Sequence, residues 1–152
     1  MIVNRIHRLS RVCHQWRLPL LPTLFKAINR ICFAVVLPPT AQVGRNVLFS
    51  YQGLGTVIHK QAVIEDDVVI STGVTIGGKS GHSRVPHIKR GAFIGTGAKV
   101  LGPVVVGEFA SVGANAVVLE DIPPYAVAVG IPARVIRVNT PEQIPDYRNF
   151  NV

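Results

Sequence analysis

The feature that most constrains this chain is an aliphatic side chain that recurs every six residues. The recurring positions are Ile58, Ile64, Ile70 and Ile76, then Ile88, Ile94, Val100, Val106, Val112 and Val118. Four positions after most of them stands a small or β-branched residue, at Ala62, Val68, Val74, Ala92, Ala98, Val104, Ala110 and Ala116. Such regularity indicates one structural unit repeated along the chain.

A period of six does not fit one face of an α-helix, because six residues advance that face by about 240°. As extended chain, each hexapeptide is a short strand and a turn, and three of them close a triangular coil of about 18 residues. Glycines directly after the aliphatic residue, such as Gly77 and Gly95, would supply turns at positive φ. A β-sandwich would instead show a period of two. We therefore predict an all-β fold, a parallel β-helix of hexapeptide repeats.

Two segments interrupt the repeat. The register slips within residues 49–56, and residues 78–87 (GKSGHSRVPH) lack the expected aliphatic residue, so they are predicted to form a loop ejected from the coil. Polar interruptions of a rigid scaffold commonly carry function. We expect a helical segment over 1–37, the β-helix over 38–137 with a closing strand at its end, and a tail over 138–152 that is mobile from Thr140.

The N-terminal segment is strongly basic. The net charge is +8, and the first carboxylate is Glu65, so every charged side chain before it is Lys or Arg. Helical spacing over 4–17 groups Ile6, Leu9, Val12, Cys13 and Trp16, and a second helix is expected over about 20–35. This segment is either a cap on the first coil or, over residues 4–30, an amphipathic contact with anionic lipid. No nucleic-acid motif accompanies the charge, and no nucleic-acid partner is expected.

Compartment signals favour the cytoplasm. Cys13 and Cys32 form no metal or redox motif, so a reducing environment is expected. The apolar run from Ile31 to Leu37 ends in prolines rather than at a cleavage site. It is also far shorter than the roughly 20 residues that span a membrane. We expect a cytoplasmic protein, with peripheral contact at the inner membrane as the alternative.

Residues 73–80 (GVTIGGKS) match the phosphate-loop pattern. That loop works where a strand turns into a helix, whereas these residues overlap the repeat and lead into a Gly/Ser/Pro loop. We interpret the match as coincidental. Lys79 can still meet the phosphates of a cofactor.

The histidines are the candidates for chemistry. His59 occupies the slot after Ile58 where later repeats carry glycine, and His82 and His87 lie in the ejected loop. Removal of a proton from a substrate hydroxyl needs a base that titrates near neutrality, and histidine is the usual one. Backbone amides near Gly77 and Gly78 would stabilise the developing oxyanion. A metal held by the three imidazoles is the rival interpretation.

The other histidines and the first acidic residue receive lesser assignments. His7 and His14 are expected on the surface of the basic helix. Glu65 begins an acidic cluster, Glu65-Asp66-Asp67, which is either a solvated turn or part of the acceptor site.

In their repeat, their GGKSG loop and their closing VGIPARVI, residues 38–137 resemble the left-handed β-helix acyltransferases of the hexapeptide-repeat family, in the serine acetyltransferase-like branch. The resemblance implies a homotrimer, acetyl-CoA as acyl donor without a metal, and active sites between neighbouring prisms. The residues it implies for the CoA groove are Gly77, Gly78, Lys79, Gly95, Thr96, Gly97, Lys99, Gly113, Ala114 and Arg134.

The chain departs from serine acetyltransferases at three positions. Val36 and Tyr51 stand where that branch carries an Asp and a catalytic His, and Val85 stands where it carries a second His. The run YQGLGTVIHKQAVI with GGKSGH is similar to the polysaccharide-associated members instead.

We therefore expect an O-acetyltransferase of a sugar or lipid-linked glycan, with direct transfer of the acetyl group. His59 and His82 are predicted to be catalytic, and Tyr51, Glu65 and His87 to contact the acceptor. The alternatives are a serine O-acetyltransferase and a zinc enzyme similar to β-helix carbonic anhydrases.

Overall fold

The computed structural model describes residues 2–16, 18 and 20–147, which form two α-helices followed by a left-handed parallel β-helix. The helices are α1 (Ile2–Gln15) and α2 (Leu21–Phe33). The strands are β1 (Gln42–Val43), β2 (Leu48–Phe49), β3 (Val57–Ile58), β4 (Val63–Ile64), β5 (Val69–Ile70), β6 (Thr75–Gly77), β7 (His87–Ile88), β8 (Phe93–Ile94), β9 (Lys99–Leu101), β10 (Val105–Val106), β11 (Ser111–Val112), β12 (Val117–Val118), β13 (Ala126–Val129) and β14 (Arg134–Val138). The predicted fold class is confirmed.

Three parallel sheets form the sides of the prism. The first face contains β1, β4, β7 and β10, the second β2, β5, β8, β11 and β13, and the third β3, β6, β9 and β12. Each strand pairs with the strand one coil later, as Ile58 of β3 does with Ile76 of β6. The chain passes from the third face to the first, then to the second, so three edges separate the faces. We name them the third–first, first–second and second–third edges.

The repeat fills the interior as the sequence predicts. The ten recurring aliphatic side chains, Ile58 through Val118, are at most 1% exposed, and the small or β-branched residues between them are at most 3% exposed. Side chains of about the same volume therefore stack coil upon coil, and burial of apolar surface is the main stabilising contribution of such a core.

The glycines after the aliphatic residue do not serve the purpose that we predicted. Gly95, Gly107 and Gly113 are not among the residues with positive φ. At Gly95, a Cβ would lie 2.7 Å from the carbonyl oxygen of Val112 and 2.8 Å from the amide of Ala114. These glycines are required because atoms of the next coil lie directly over them, backbone atoms at Gly95 and Gly107 and the Val129 side chain at Gly113. The positive φ falls two residues later, as at Gly97.

The helices form where they were expected, but α1 turns a different face inward. Its buried residues are Val3, His7 and Ser10, whereas Leu9, Val12 and Trp16 are exposed. The hydrophobic stripe predicted for this helix therefore faces largely outward rather than against the first coil, and the surface position predicted for His7 is wrong. Polar residues can occupy the buried face of this helix because they form hydrogen bonds there. The His7 Nε2 lies 3.2 Å from the Pro38 carbonyl oxygen, and the Ser10 hydroxyl donates to the Pro22 carbonyl at 3.3 Å.

The C-terminal end closes the solenoid with a hairpin. Strand β13 continues the second face in parallel, and β14 pairs with it antiparallel. Beyond β14 the chain folds back over the second face as far as Tyr147, whose ring stacks on Phe93 with 3.9 Å between centroids. The tail predicted to be mobile from Thr140 is thus packed up to Tyr147, while residues 148–152 and Arg17 lie outside the described residues.

Candidate active site

His59 is held at the third–first edge by its backbone. It follows β3 directly, its amide donates to the Ile76 carbonyl at 2.8 Å, and its carbonyl accepts from Ala62 at 3.0 Å. The half-buried imidazole accepts a hydrogen bond from the Gln61 amide at Nδ1, at 3.2 Å. Because Nδ1 is the acceptor, a neutral ring in this position carries its proton on Nε2.

The ejected loop begins beside this imidazole. A methyl group placed on Gly78 would lie 3.9 Å from both Cδ2 and Nε2 of His59, and 3.7 Å from the Val85 side chain. Gly77 still pairs with Leu101 in the ladder of the third face. Gly78 is the first residue beyond that ladder and is exposed. Its amide is therefore the better candidate of the two for an oxyanion donor.

The loop itself spans residues 78–86 and places His82 in solvent. The His82 amide donates to the Lys79 carbonyl at 3.1 Å, which closes a turn at the tip. The stem of Lys79 packs over Gly102 of the next coil, since a Cβ there would lie 3.3 Å from the Lys79 Cβ. His59, Gly78, Lys79 and His82 thus share one edge. No helix follows Gly78, as we argued from the sequence.

Glu65 and His87 come together, but at the first–second edge. His87 is the first residue of β7 rather than part of the loop, which corrects our prediction, and its Nε2 lies 2.7 Å from Glu65 Oε1. Glu65 also accepts from Lys89 Nζ at 3.1 Å and from the Arg90 amide at 3.0 Å. Partial burial raises the pKa of Glu65, but these hydrogen bonds outweigh it and leave the pKa below its ordinary value. The carboxylate joins two successive coils.

Tyr51 lies at a third place. It belongs to a tight turn, Ser50–Gly53, in which Tyr51 and Gln52 have positive φ. Its exposed ring borders a cavity of about 330 Å³ at the second–third edge. That cavity is lined by Ser50, Tyr51, Ser71, Thr72, Phe93, Thr96 and Tyr147. The three residues predicted to contact the acceptor are therefore divided between two edges of one chain.

Tyr147 was missed by sequence reasoning. Its hydroxyl lies 2.8 Å from the Ser111 hydroxyl, and its ring covers Phe93 on the outside of the second face. The signal was present in Phe93, an aromatic residue at an outward position of a repeat that otherwise carries smaller side chains there. Nothing in the repeat indicates that the tail would supply its partner.

The residues implied for a CoA groove also occupy two edges. Gly77, Gly78 and Lys79 are at the third–first edge, whereas Gly95, Thr96, Gly97, Gly113 and Ala114 are at the second–third edge. Lys99 begins β9 on the third face and donates from Nζ to the Gly73 carbonyl at 2.8 Å. Arg134 begins β14 and lies 3.5 Å from Glu120 Oε2. In one chain the third face separates the two edges.

The arrangement of the histidines does not support the rival interpretation, a metal centre. Within residues 2–16, 18 and 20–147, no three His, Cys, Asp or Glu side chains are grouped so that they could hold a metal ion. His59 and His87, two of the three imidazoles considered, follow β3 and begin β7 on different faces.

Residues 86–120 match the family model for the bacterial transferase hexapeptide, six repeats. These residues carry the repeat of the hexapeptide-repeat transferase family. The chain is 44% identical over 108 residues to the serine acetyltransferase of Haemophilus influenzae, and the aligned region covers 70% of this chain and 40% of that protein. It is 39% identical over 132 residues to the serine acetyltransferase of Synechococcus elongatus, covering 86% of this chain and 54% of that protein.

Solved structures of serine acetyltransferases also superpose on this chain. A serine acetyltransferase in complex with cysteine superposes with a TM-score of 0.88 at 33% identity, over 99% of this chain and 58% of that one. One in complex with CoA gives a TM-score of 0.80 at 35% identity, over 88% and 55%. These relatives are serine acetyltransferases and not the polysaccharide-associated enzymes that we expected to be nearest. The chain spans about half the length of the relatives it matches, 40% and 54% in the two above.

Proposed function

We propose that this chain is an acetyl-CoA-dependent O-acetyltransferase and that His59 is its general base. The observation that supports this most is the imidazole at the edge where the ejected loop begins, next to the exposed backbone of Gly78. A base beside an amide donor is the pair that transfer from a thioester to a hydroxyl requires. The likeness to a serine acetyltransferase in complex with CoA supports the choice of donor.

In this reaction the acceptor hydroxyl attacks the thioester carbonyl while His59 removes its proton. The oxyanion that develops is stabilised by the Gly78 amide, and the carbon–sulfur bond then breaks to give the acetyl ester and CoA. The proton held by His59 passes to the sulfur, so the base returns to its starting state. His82 is proposed to orient the acceptor, and Lys79 to meet a CoA phosphate as a fixed positive charge.

The hydrogen bond from Gln61 sets one requirement on this mechanism. To accept a proton on Nε2, the neutral ring must carry its resting proton on Nδ1, and it must then release the Gln61 amide. Because Gln61 is exposed, water replaces the lost partner, and the net cost is about 1 kcal/mol. Binding of the substrates provides the interactions that offset it.

Two acceptors have specific support. The relatives named above favour L-serine. The replacements at Val36, Tyr51 and Val85 favour a different hydroxyl compound, such as a sugar or a lipid-linked glycan, because the acidic and imidazole groups expected in a serine site are absent there. L-serine is the first candidate and the sugar hydroxyl the second.

Release of the CoA thiol from acetyl-CoA tests the proposal. Wild-type protein is assayed with L-serine, with a panel of sugars and without acceptor, and the ester product is identified by mass spectrometry. His59→Ala is expected to reduce turnover by about 100-fold or more, the usual contribution of a general base. His14→Ala, which removes an exposed imidazole in α1, is the matched control. Undiminished turnover in His59→Ala would show that the base is another residue.

The complete site is proposed to lie between two chains of a homotrimer. One prism would present the third–first edge with His59, and its neighbour the second–third edge with Thr96 and Ala114. This arrangement would bring together the two halves of the CoA groove, which the third face separates within one chain.

A further inference from the structure

The outer side of the two N-terminal helices is apolar, and the proposed reaction does not use it. Ile2 and Leu9 of α1 and Trp16, which directly follows this helix, are spaced seven residues apart, on a different side from the buried Val3 and His7. Leu24 and Ile31 repeat likewise along α2. Trp16, Leu20 and Ile31 are 74%, 80% and 83% exposed. The two helices form a helical hairpin, and we call its six exposed apolar side chains the hairpin surface: Ile2, Leu9, Trp16, Leu20, Leu24 and Ile31.

Basic residues accompany the hairpin surface. Arg5 and Arg8 are exposed on α1, and Lys26 and Arg30 are exposed on α2. None of the salt bridges within the described part of the chain involves these four side chains. Because the first carboxylate is Glu65, the whole N-terminal segment carries positive charge without internal compensation.

The inner side of the hairpin is already fixed to the solenoid. The Asn4 side chain donates to the Val47 carbonyl at 2.6 Å, and the Ile2 amide donates to the Gln52 side chain at 3.0 Å. Val3 belongs to the core cluster. The sequence left open whether this segment caps the first coil or contacts lipid. The two roles are compatible, because the inner side of the helices packs on the solenoid and the outer side is exposed.

Charge and apolarity together select the partner. A second copy of the hairpin would bring the same positive charge and no carboxylate, so it would be repelled. A nucleic acid would match the charge but would leave the exposed leucine, isoleucine and tryptophan side chains without an apolar partner. We propose that the hairpin surface docks this protein peripherally on a bilayer that contains anionic lipid, which supplies negative headgroups and apolar acyl chains at once. No helix in the described residues is long and apolar enough to span a membrane.

The single tryptophan provides a direct test. Trp16 is the only tryptophan of the chain, so tryptophan emission excited selectively in the unmodified protein reports on this surface. Vesicles of phosphatidylcholine with phosphatidylglycerol are expected to shift its emission to the blue, and brominated lipid to quench it. Vesicles of phosphatidylcholine alone should have a much smaller effect, and high salt should reverse the shift.

Paired variants locate the contact. Arg5→Glu combined with Arg8→Glu is expected to weaken vesicle binding by about tenfold or more, and Leu20→Ser is expected to weaken it as well. Arg137→Glu and Ile136→Ser are the matched controls, since both side chains are exposed on β14, and they should bind as wild type does. Docking does not depend on the acyl-transfer proposal, so all four proteins are expected to release CoA with a water-soluble acceptor as wild type does.

Three results would overturn the proposal. The first is that Trp16 emission is already shifted to the blue without lipid and does not change with vesicles, and that Leu20→Ser forms a smaller assembly than wild type. These two observations together would assign the surface to contact with a second copy of the chain. The second is a fluorescence response to a DNA duplex and none to vesicles. The third is equal binding to neutral and anionic vesicles by wild type and the double variant.

Discussion

Gly95 and Gly78 stand in successive coils of the same solenoid, yet their surroundings differ. A Cβ on Gly95 would meet backbone atoms of the next coil at 2.7 Å and 2.8 Å, which cannot move independently. A Cβ on Gly78 would meet only side-chain atoms, at ordinary contact distances of 3.7 Å and 3.9 Å. The first glycine is needed for close packing of coils, and the second leaves room beside His59.

Alanine at these two positions should therefore affect different properties of the protein. Gly95→Ala is expected to lower the free energy of unfolding by about 1–3 kcal/mol, because coils must separate locally. Gly78→Ala should change it by less than about 0.5 kcal/mol but should reduce acetyl transfer, because the methyl group fills the space beside the imidazole. Urea denaturation and the CoA-release assay measure the two quantities. Equal destabilisation by both substitutions would contradict the close-packing account.

His7 makes stability depend on pH. Burial lowers its pKa, although the hydrogen bond to the Pro38 carbonyl acts in the opposite direction. The unfolded chain therefore binds a proton more readily than the folded one, and stability falls as the pH drops through the ordinary value of 6.5. The urea midpoint should decrease between about pH 7.5 and about pH 5.5.

The variant His7→Gln keeps an N–H donor for Pro38 but does not titrate. It should therefore flatten the pH dependence in this interval. Glu65 and Asp66, whose pKa values are lowered, affect stability only at more acidic pH. A variant that loses stability as steeply as wild type between these pH values would exclude His7 as the cause.

At the scale of elements, strands of two or three residues are stable only because each pairs with its counterpart in the next coil and directs one side chain inward. Ile94 of β8 is completely buried, whereas Ile136 of the edge strand β14 is largely exposed. Strand β14 pairs with β13 alone, so it contributes little to the interior.

Truncation of these two isoleucines should separate core from edge. Ile94→Ala is expected to cost about 2–5 kcal/mol, the usual range for a buried aliphatic side chain. Ile136→Ala should stay within about 0.5 kcal/mol of wild type. Thermal unfolding followed by circular dichroism measures both, and similar costs at the two sites would mean that the interior is not where the repeat places it.

The elements that the sequence predicted well are those that the repeat dictates by itself. The inward aliphatic register needs only local chain geometry, so Ile58 through Val118 could be placed without a structure. The face of α1 that is buried could not, because His7 and Ser10 become acceptable inside only through partners at Pro38 and Pro22. The contact between His87 and Glu65 could not be predicted for a similar reason. These residues lie in successive coils, and the ejected loop between them obscures which positions stack on each other.

At the scale of the whole molecule, the prism keeps apart residues that the family resemblance assigns to one groove. His59 and Lys79 lie on one side of the third face, and Thr96 and Ala114 on the other. Only a neighbouring chain can place a second–third edge against a third–first edge. The oligomer is therefore part of the proposed site rather than an addition to it.

Mixing two inactive variants tests this account most directly. His59→Ala removes the base from one edge, and Ala114→Trp blocks the other edge with a large side chain at an exposed position. Each variant alone should release almost no CoA. In co-assembled oligomers, an intact His59 edge meets an intact Ala114 edge at about one quarter of the interfaces, so we predict that activity returns to about that fraction of wild type. If the mixture stays as inactive as its components while wild type turns over, the site does not lie between two chains, and the central claim is wrong.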